Sequence, residues 1–120
     1  MDGLFLSPTP PWGASVLVLR DRSVLLLWRG CGWTPPAITR LPDEPIAVCA
    51  ARALDETVGL TLALWPVADV DPGWAVFVAS VSGEPLIRPD RVCESFAWVP
   101  LDEARRRCTQ LVSTTLDLVA

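Results

Sequence analysis

The chain has 120 residues, 51% of them hydrophobic, with 10 Lys+Arg against 14 Asp+Glu and a net charge of −4, the size of one compact domain able to bury a core. His, Tyr, Lys and Asn are all absent, so every basic residue is an arginine. A Ser-His-Asp triad, a His-ligated zinc and a histidine general base are therefore excluded.

The acidic balance and the lack of a basic run argue against a nucleic-acid partner and for a small-molecule ligand. No apolar stretch approaches the roughly 18 to 20 residues of a membrane span. The start, Met1-Asp2-Gly3, has no basic n-region, so the expected location is cytoplasmic with no membrane partner. Cys31, Cys49, Cys93 and Cys108 show no CxxC spacing and read as free thiols.

Leu4 to Gly13 carries Pro8, Pro10 and Pro11, which predicts an extended lead-in over residues 1–13 ahead of a single domain over 14–120. Ala14 to Arg20 and Ser23 to Trp28 are apolar runs separated by Asp21 and Arg22, the pattern of a tight hairpin. Gly30 to Pro36 is expected to break regular structure. After Pro42, the acidic pair Asp43 and Glu44 and then Pro45 mark a helix start. Ile46, Ala50, Leu54 and Val58 repeat every four residues up to Gly59, with Ala47 and Ala51 beside them. Cys49, Arg52, Ala53 and Glu56 fall on another face.

Leu60 to Val67 and Trp74 to Val81 are predicted strands around an Asp71-Pro72-Gly73 turn. A further strand is expected over Glu94 to Val99. Pro100 stops it, and a helix follows with Asp102 and Glu103 in its first turn and Ala104, Cys108, Leu111, Val112, Thr115, Leu116 and Val119 on its apolar face. This order predicts an α/β fold, a mixed sheet between helices that cover opposite faces.

One segment is more specific. Trp33 to Glu44 (WTPPAITRLPDE), seven residues, then Arg52 to Leu60 (RALDETVGL) resembles the Nudix box GX5EX7REUXEEXGU, where U is a bulky aliphatic. Glu44, Arg52, Leu54, Glu56, Gly59 and Leu60 fall on its positions with the spacing intact. Val24 to Arg29, Trp33 and Pro36 match the flanks, and Glu94 to Ala104 (ESFAWVPLDEA) is similar to the family's late strand and final helix start. The resemblance implies a Nudix-like α/β/α sandwich in which box carboxylates hold magnesium, clamp a diphosphate and activate water.

Several of those carboxylates are missing. The first glutamate of REUXEE is Ala53, the second of its adjacent pair is Thr57, the opening glycine is Ile38 next to Ala37, and Asp43 stands where glycine usually precedes the loop glutamate. Glu56 is left as the weak candidate metal ligand, with Glu44 and Glu94 as further carboxylates. Asp55 sits about 100° around the helix from Glu56. Ordinary Nudix hydrolysis is therefore expected to be impaired.

Each candidate also has a plainer role. Glu56 is a surviving ligand or acid/base, or a glutamate paired with Arg52 four residues earlier. Glu44 is a loop carboxylate of the box, or a helix N-terminal charge. Arg52 is a box orienting residue or half of a structural salt bridge. Cys49 is a nucleophile near Arg52 or a quiet buried thiol. Trp28, Trp65 and Trp74 line an aromatic ligand pocket or pack in the core. Glu94 points to the site or is solvated at a strand end.

Three functions fit: an atypical Nudix enzyme acting on a phosphorylated small molecule with residual magnesium; a scaffold repurposed for metal-independent catalysis on a hydrophobic or aromatic metabolite, with Glu56, Asp55 or Cys49 as the working group; or non-catalytic ligand binding. A biosynthetic role and a homodimer are compatible with each.

Overall fold

The computed structural model describes residues 11–30, 32–67, 73–89 and 95–107. In chain order it contains β1 (Gly13–Arg20), β2 (Ser23–Trp28), β3 (Trp33–Thr34), β4 (Ala37–Thr39), α1 (Ile46–Val58), β5 (Trp65–Val67), β6 (Ala75–Ser80), β7 (Ser95–Pro100) and α2 (Leu101–Arg107).

The expected hairpin forms, but only its base is paired: Leu19 with Val24 and Arg20 with Ser23. Asp21 turns the chain at φ 54°, a left-handed conformation that Asp tolerates better than most residues. Beyond that base the two strands part. β4 pairs with the start of β1 through Gly13, Ala14 and Ser15, and β3 pairs with the end of β2 through Leu27 and Trp28. The Trp33–Thr39 region, expected to be irregular as far as Pro36, thus supplies two short strands, because the parted hairpin leaves edges that need partners. β6 lies parallel to β1 along six residues, β5 is antiparallel to β6, and β7 is antiparallel to β2. The result is the predicted mixed sheet.

Side chains alternate between its two faces. One face carries Val16, Val18, Leu25 and Leu27 and is covered by Cys49, Ala50, Leu54 and Val58 of α1. The other carries Leu17, Val24, Leu26 and Val76 and is covered by Ala104 of α2. The helices therefore lie on opposite faces.

Two further expectations need correction. Of Leu60 to Val67, only Trp65–Val67 is strand. Leu60, Leu62 and Leu64 alternate with exposed Thr61 and Ala63 as a strand would, yet they pack on the α1-side cluster with no ladder among the described residues. The buried face of α1 is also wider and rotated: Cys49, Ala53 and Thr57 are buried, whereas Ala47 and Ala51 are exposed.

α1 ends at Gly59, whose φ of 73° is a left-handed C-cap with its N–H on Asp55 O. A Cβ there would also sit 2.9 Å from Arg88 Nε. Gly13 is needed for a different reason, since a Cβ would fall 2.4 Å from Ile38 O and 2.5 Å from the Trp74 ring. No helix among the described residues is long and apolar enough to cross a membrane.

Candidate functional site

The candidate residues converge where the 39–45 connection meets α1. Glu44 is not in the first turn of the helix, which contains no acidic residue; Pro45 occupies the N-cap and the helix begins at Ile46. The expectation that a helix start explains Glu44 is replaced by a side-chain bond. Arg52 Nε donates to Glu44 Oε2 at 2.8 Å and its terminal nitrogen to Oε1 at 3.0 Å, so the pair is bidentate. Leu41 N–H donates to the same Oε1 at 3.0 Å.

These two donors, the guanidinium first, hold the Glu44 carboxyl down at about 2. Arg52 donates further to Thr39 O at 2.9 Å and, more loosely, to Glu56 Oε2 at 3.5 Å. The Arg52–Glu56 pair that the four-residue spacing suggested and the Arg52–Glu44 pair that the resemblance implied are both present, and one arginine ties the connection to the helix.

Asp43 precedes this carboxylate with φ 61°. This left-handed conformation is one that glycine adopts freely and an L residue takes at some cost in strain. Arg40 reaches across the same turn to Glu44 O at 3.4 Å.

Cys49 is fully buried one turn into the helix, its Sγ 3.8 Å from Ile38 O. Burial pushes the thiol up, and the negative charge of Glu44 adds to that effect. A thiolate nucleophile requires the opposite shift.

Ala53 and Thr57, at the two box positions that carry glutamate in the resembled motif, are buried at 0% and 3% exposure. Thr57 turns its hydroxyl back onto Ala53 O at 2.6 Å, satisfying it within the helix. Glu56 stands apart from them with its side chain 51% exposed. Asp55 is exposed on the next position round. Glu94 lies outside the described residues.

A magnesium centre assembled by protein requires several free carboxylate oxygens. Here both Glu44 oxygens are engaged by Arg52, and the two neighbouring positions offer a methyl group and a hydroxyl that is already bonded. Among the described residues no three of His, Cys, Asp and Glu converge on one point. Among the described residues, which do not include Glu94, this donor set does not fit a multi-carboxylate metal site.

The tryptophans do not converge either. Trp28 packs against Trp33 with ring centroids 5.4 Å apart. Trp74 donates its indole N–H to the buried Ser15 hydroxyl at 2.8 Å. Trp65 is 61% exposed on β5. No ring contact links Trp28, Trp65 and Trp74 among the described residues.

A groove that the sequence reading missed does run beside α1. It is a half-open depression of about 310 Å³ between Val48, Ala51, Arg52, Leu54 and Asp55 on the helix and Leu60, Thr61 and Leu62 after it. Its signal in the sequence was Val48, an apolar residue off the repeating stripe, which is 52% exposed.

A family model described as NUDIX domain matches residues 9–117. No curated protein matches the chain by sequence. Among solved structures, an Ap4A hydrolase from C. elegans is similar with a TM-score of 0.73 at 18% identity, over 88% of this chain and 91% of that one. A MutT NUDIX hydrolase from Burkholderia pseudomallei aligns with a TM-score of 0.67 at 21% identity, over 90% and 96%. A NUDIX-family hydrolase from Clostridium perfringens gives 0.68 at 17% identity, over 96% and 100%. At such identities the likeness shows the fold alone.

Proposed function

The chain belongs to the NUDIX domain family, and from that premise we propose that it is an atypical member acting on a small molecule, with metal-dependent diphosphate hydrolysis impaired by the loss of box carboxylates. The observation that carries this reading is the state of the four box positions. Glu44 is held by Arg52, Ala53 and Thr57 are buried, and Glu56 is the one exposed carboxylate among them. Magnesium binds weakly to a single protein carboxylate and depends on substrate phosphates for the rest of its shell. Among the described residues, residual divalent-ion affinity therefore rests on Glu56 and requires a phosphorylated ligand.

A second reading, binding or metal-independent chemistry on a hydrophobic molecule, draws support from the aliphatic groove bearing Asp55. Cys49 is fully buried with its thiol pushed up by that burial, which favours the carboxylates Asp55 and Glu56 over it as the working groups of that reading.

The test is turnover of nucleoside diphosphate compounds, with and without magnesium, by wild type and Glu56→Gln. The expected result is release of phosphate or nucleotide at or near background in both proteins. Magnesium-dependent release abolished by Glu56→Gln would return the chain to ordinary hydrolysis. Metal-free turnover lost in the same variant would support the second reading.

A further inference from the structure

We infer that the groove between α1 and the Leu60–Leu62 segment is a binding site for a small organic cation, an aromatic or alicyclic ring bearing an ammonium group. The walls set the first half of that chemistry. Val48, Ala51, Leu54, Leu60 and Leu62 present aliphatic surface, and 310 Å³ is near the lower end of ligand-sized cavities, enough for about one ring and a short arm.

The charges set the second half. Two charged residues line the groove, and they are not equivalent. Arg52 directs its donors away to Glu44, Glu56 and Thr39 O, so its charge is already compensated. The exposed Asp55 carboxylate forms no ion pair or hydrogen bond with the described residues; the bond at this residue, from Gly59 N–H, goes to its backbone carbonyl. An anionic ligand would face an uncompensated carboxylate and a committed guanidinium. A cationic one would pair with Asp55 while its ring covers Val48, which is otherwise half exposed.

The inference rests on the second reading above, ligand binding at this groove; Arg52 lines the groove and also holds Glu44, so the test reads Asp55 and the aliphatic wall rather than diphosphate turnover. It is tested by amide NMR titration of the whole chain with 2-phenylethylammonium, cyclohexylammonium and tryptammonium, each against the matching carboxylate of similar shape. Saturable shifts are expected at Val48, Ala51, Asp55 and Leu60 to Leu62 with the ammonium ligands. The carboxylates should bind at least about threefold more weakly, the size of a partly exposed ion pair.

Asp55→Asn, which leaves the backbone cap intact, should abolish that preference. Ala51→Phe, at an exposed position, should fill the groove and abolish binding of both. No saturable shifts with any of the three ammonium compounds, equal binding of their anionic counterparts, a preference that survives in Asp55→Asn, or shifts confined elsewhere would each overturn the assignment.

Discussion

Arg52 engages Glu44 through both carboxylate oxygens and touches Glu56 more loosely, and this asymmetry has a pH signature. The Glu44 carboxyl is lowered from 4.5 to about 2. The stability it contributes is fully present above the unfolded value and is lost as pH falls through the folded one. Thermal melts of wild type and Glu44→Gln should therefore differ most near neutrality and draw together toward pH 2, and a gap independent of pH would contradict the pairing. Cys49 is fully buried and its thiol is pushed up by that burial, so peptide-resolved alkylation at neutral pH should find it modified more slowly than an unfolded control. Rapid, selective labelling would show a thiolate instead. The Arg52–Glu56 contact was legible in the sequence because residues four apart share a helix face. The Arg52–Glu44 contact, eight residues apart, was legible only through the family motif, and the Thr39 carbonyl that completes it carried no signal at all.

At the scale of elements, α1 shows how a periodic pattern finds a helix more readily than its orientation. Its limits, Ile46–Val58 with Gly59 as cap, follow from spacing and breakers. Which face is buried depends on the sheet beneath, and alanine and threonine are compatible with either side. Ala53 and Thr57 consequently belong to the core, and Ala51 to the groove. Leu54, 1% exposed in the center of that face, should cost about 2–5 kcal/mol when truncated to Ala, as read by denaturant unfolding. The connection before α1 carries its own strain at Asp43, φ 61°. Asp43→Gly is expected to stay within about 1 kcal/mol of wild type, while the β-branched Asp43→Val should lose about 1–2 kcal/mol. Equal stability of the Val variant would mean that this backbone is not held in the left-handed region. The Leu60–Leu64 segment illustrates the reverse difficulty, for its alternation is that of a strand while its partner is a helix-side cluster rather than another strand.

For the molecule as a whole, hairpin, helix, strands and helix in that order lead to a mixed sheet between two layers, and the structure has that arrangement. The parted hairpin was not foreseeable from local pattern, since it depends on β3 and β4 entering between strands that are contiguous in sequence. Family membership rests on a match over residues 9–117, and Ala53 and Thr57 stand where the resembled motif has glutamate, so the fold by itself does not carry the function. The proposal to be tested is that the described box residues do not assemble a divalent-metal centre from their own side chains. Isothermal titration with magnesium and manganese, on wild type and Glu56→Gln and with and without a nucleoside diphosphate compound, tests it most directly. Without the phosphorylated compound, the account predicts no saturable binding at millimolar metal and no difference between the two proteins. Saturable binding to the wild type alone, lost in Glu56→Gln, would contradict it.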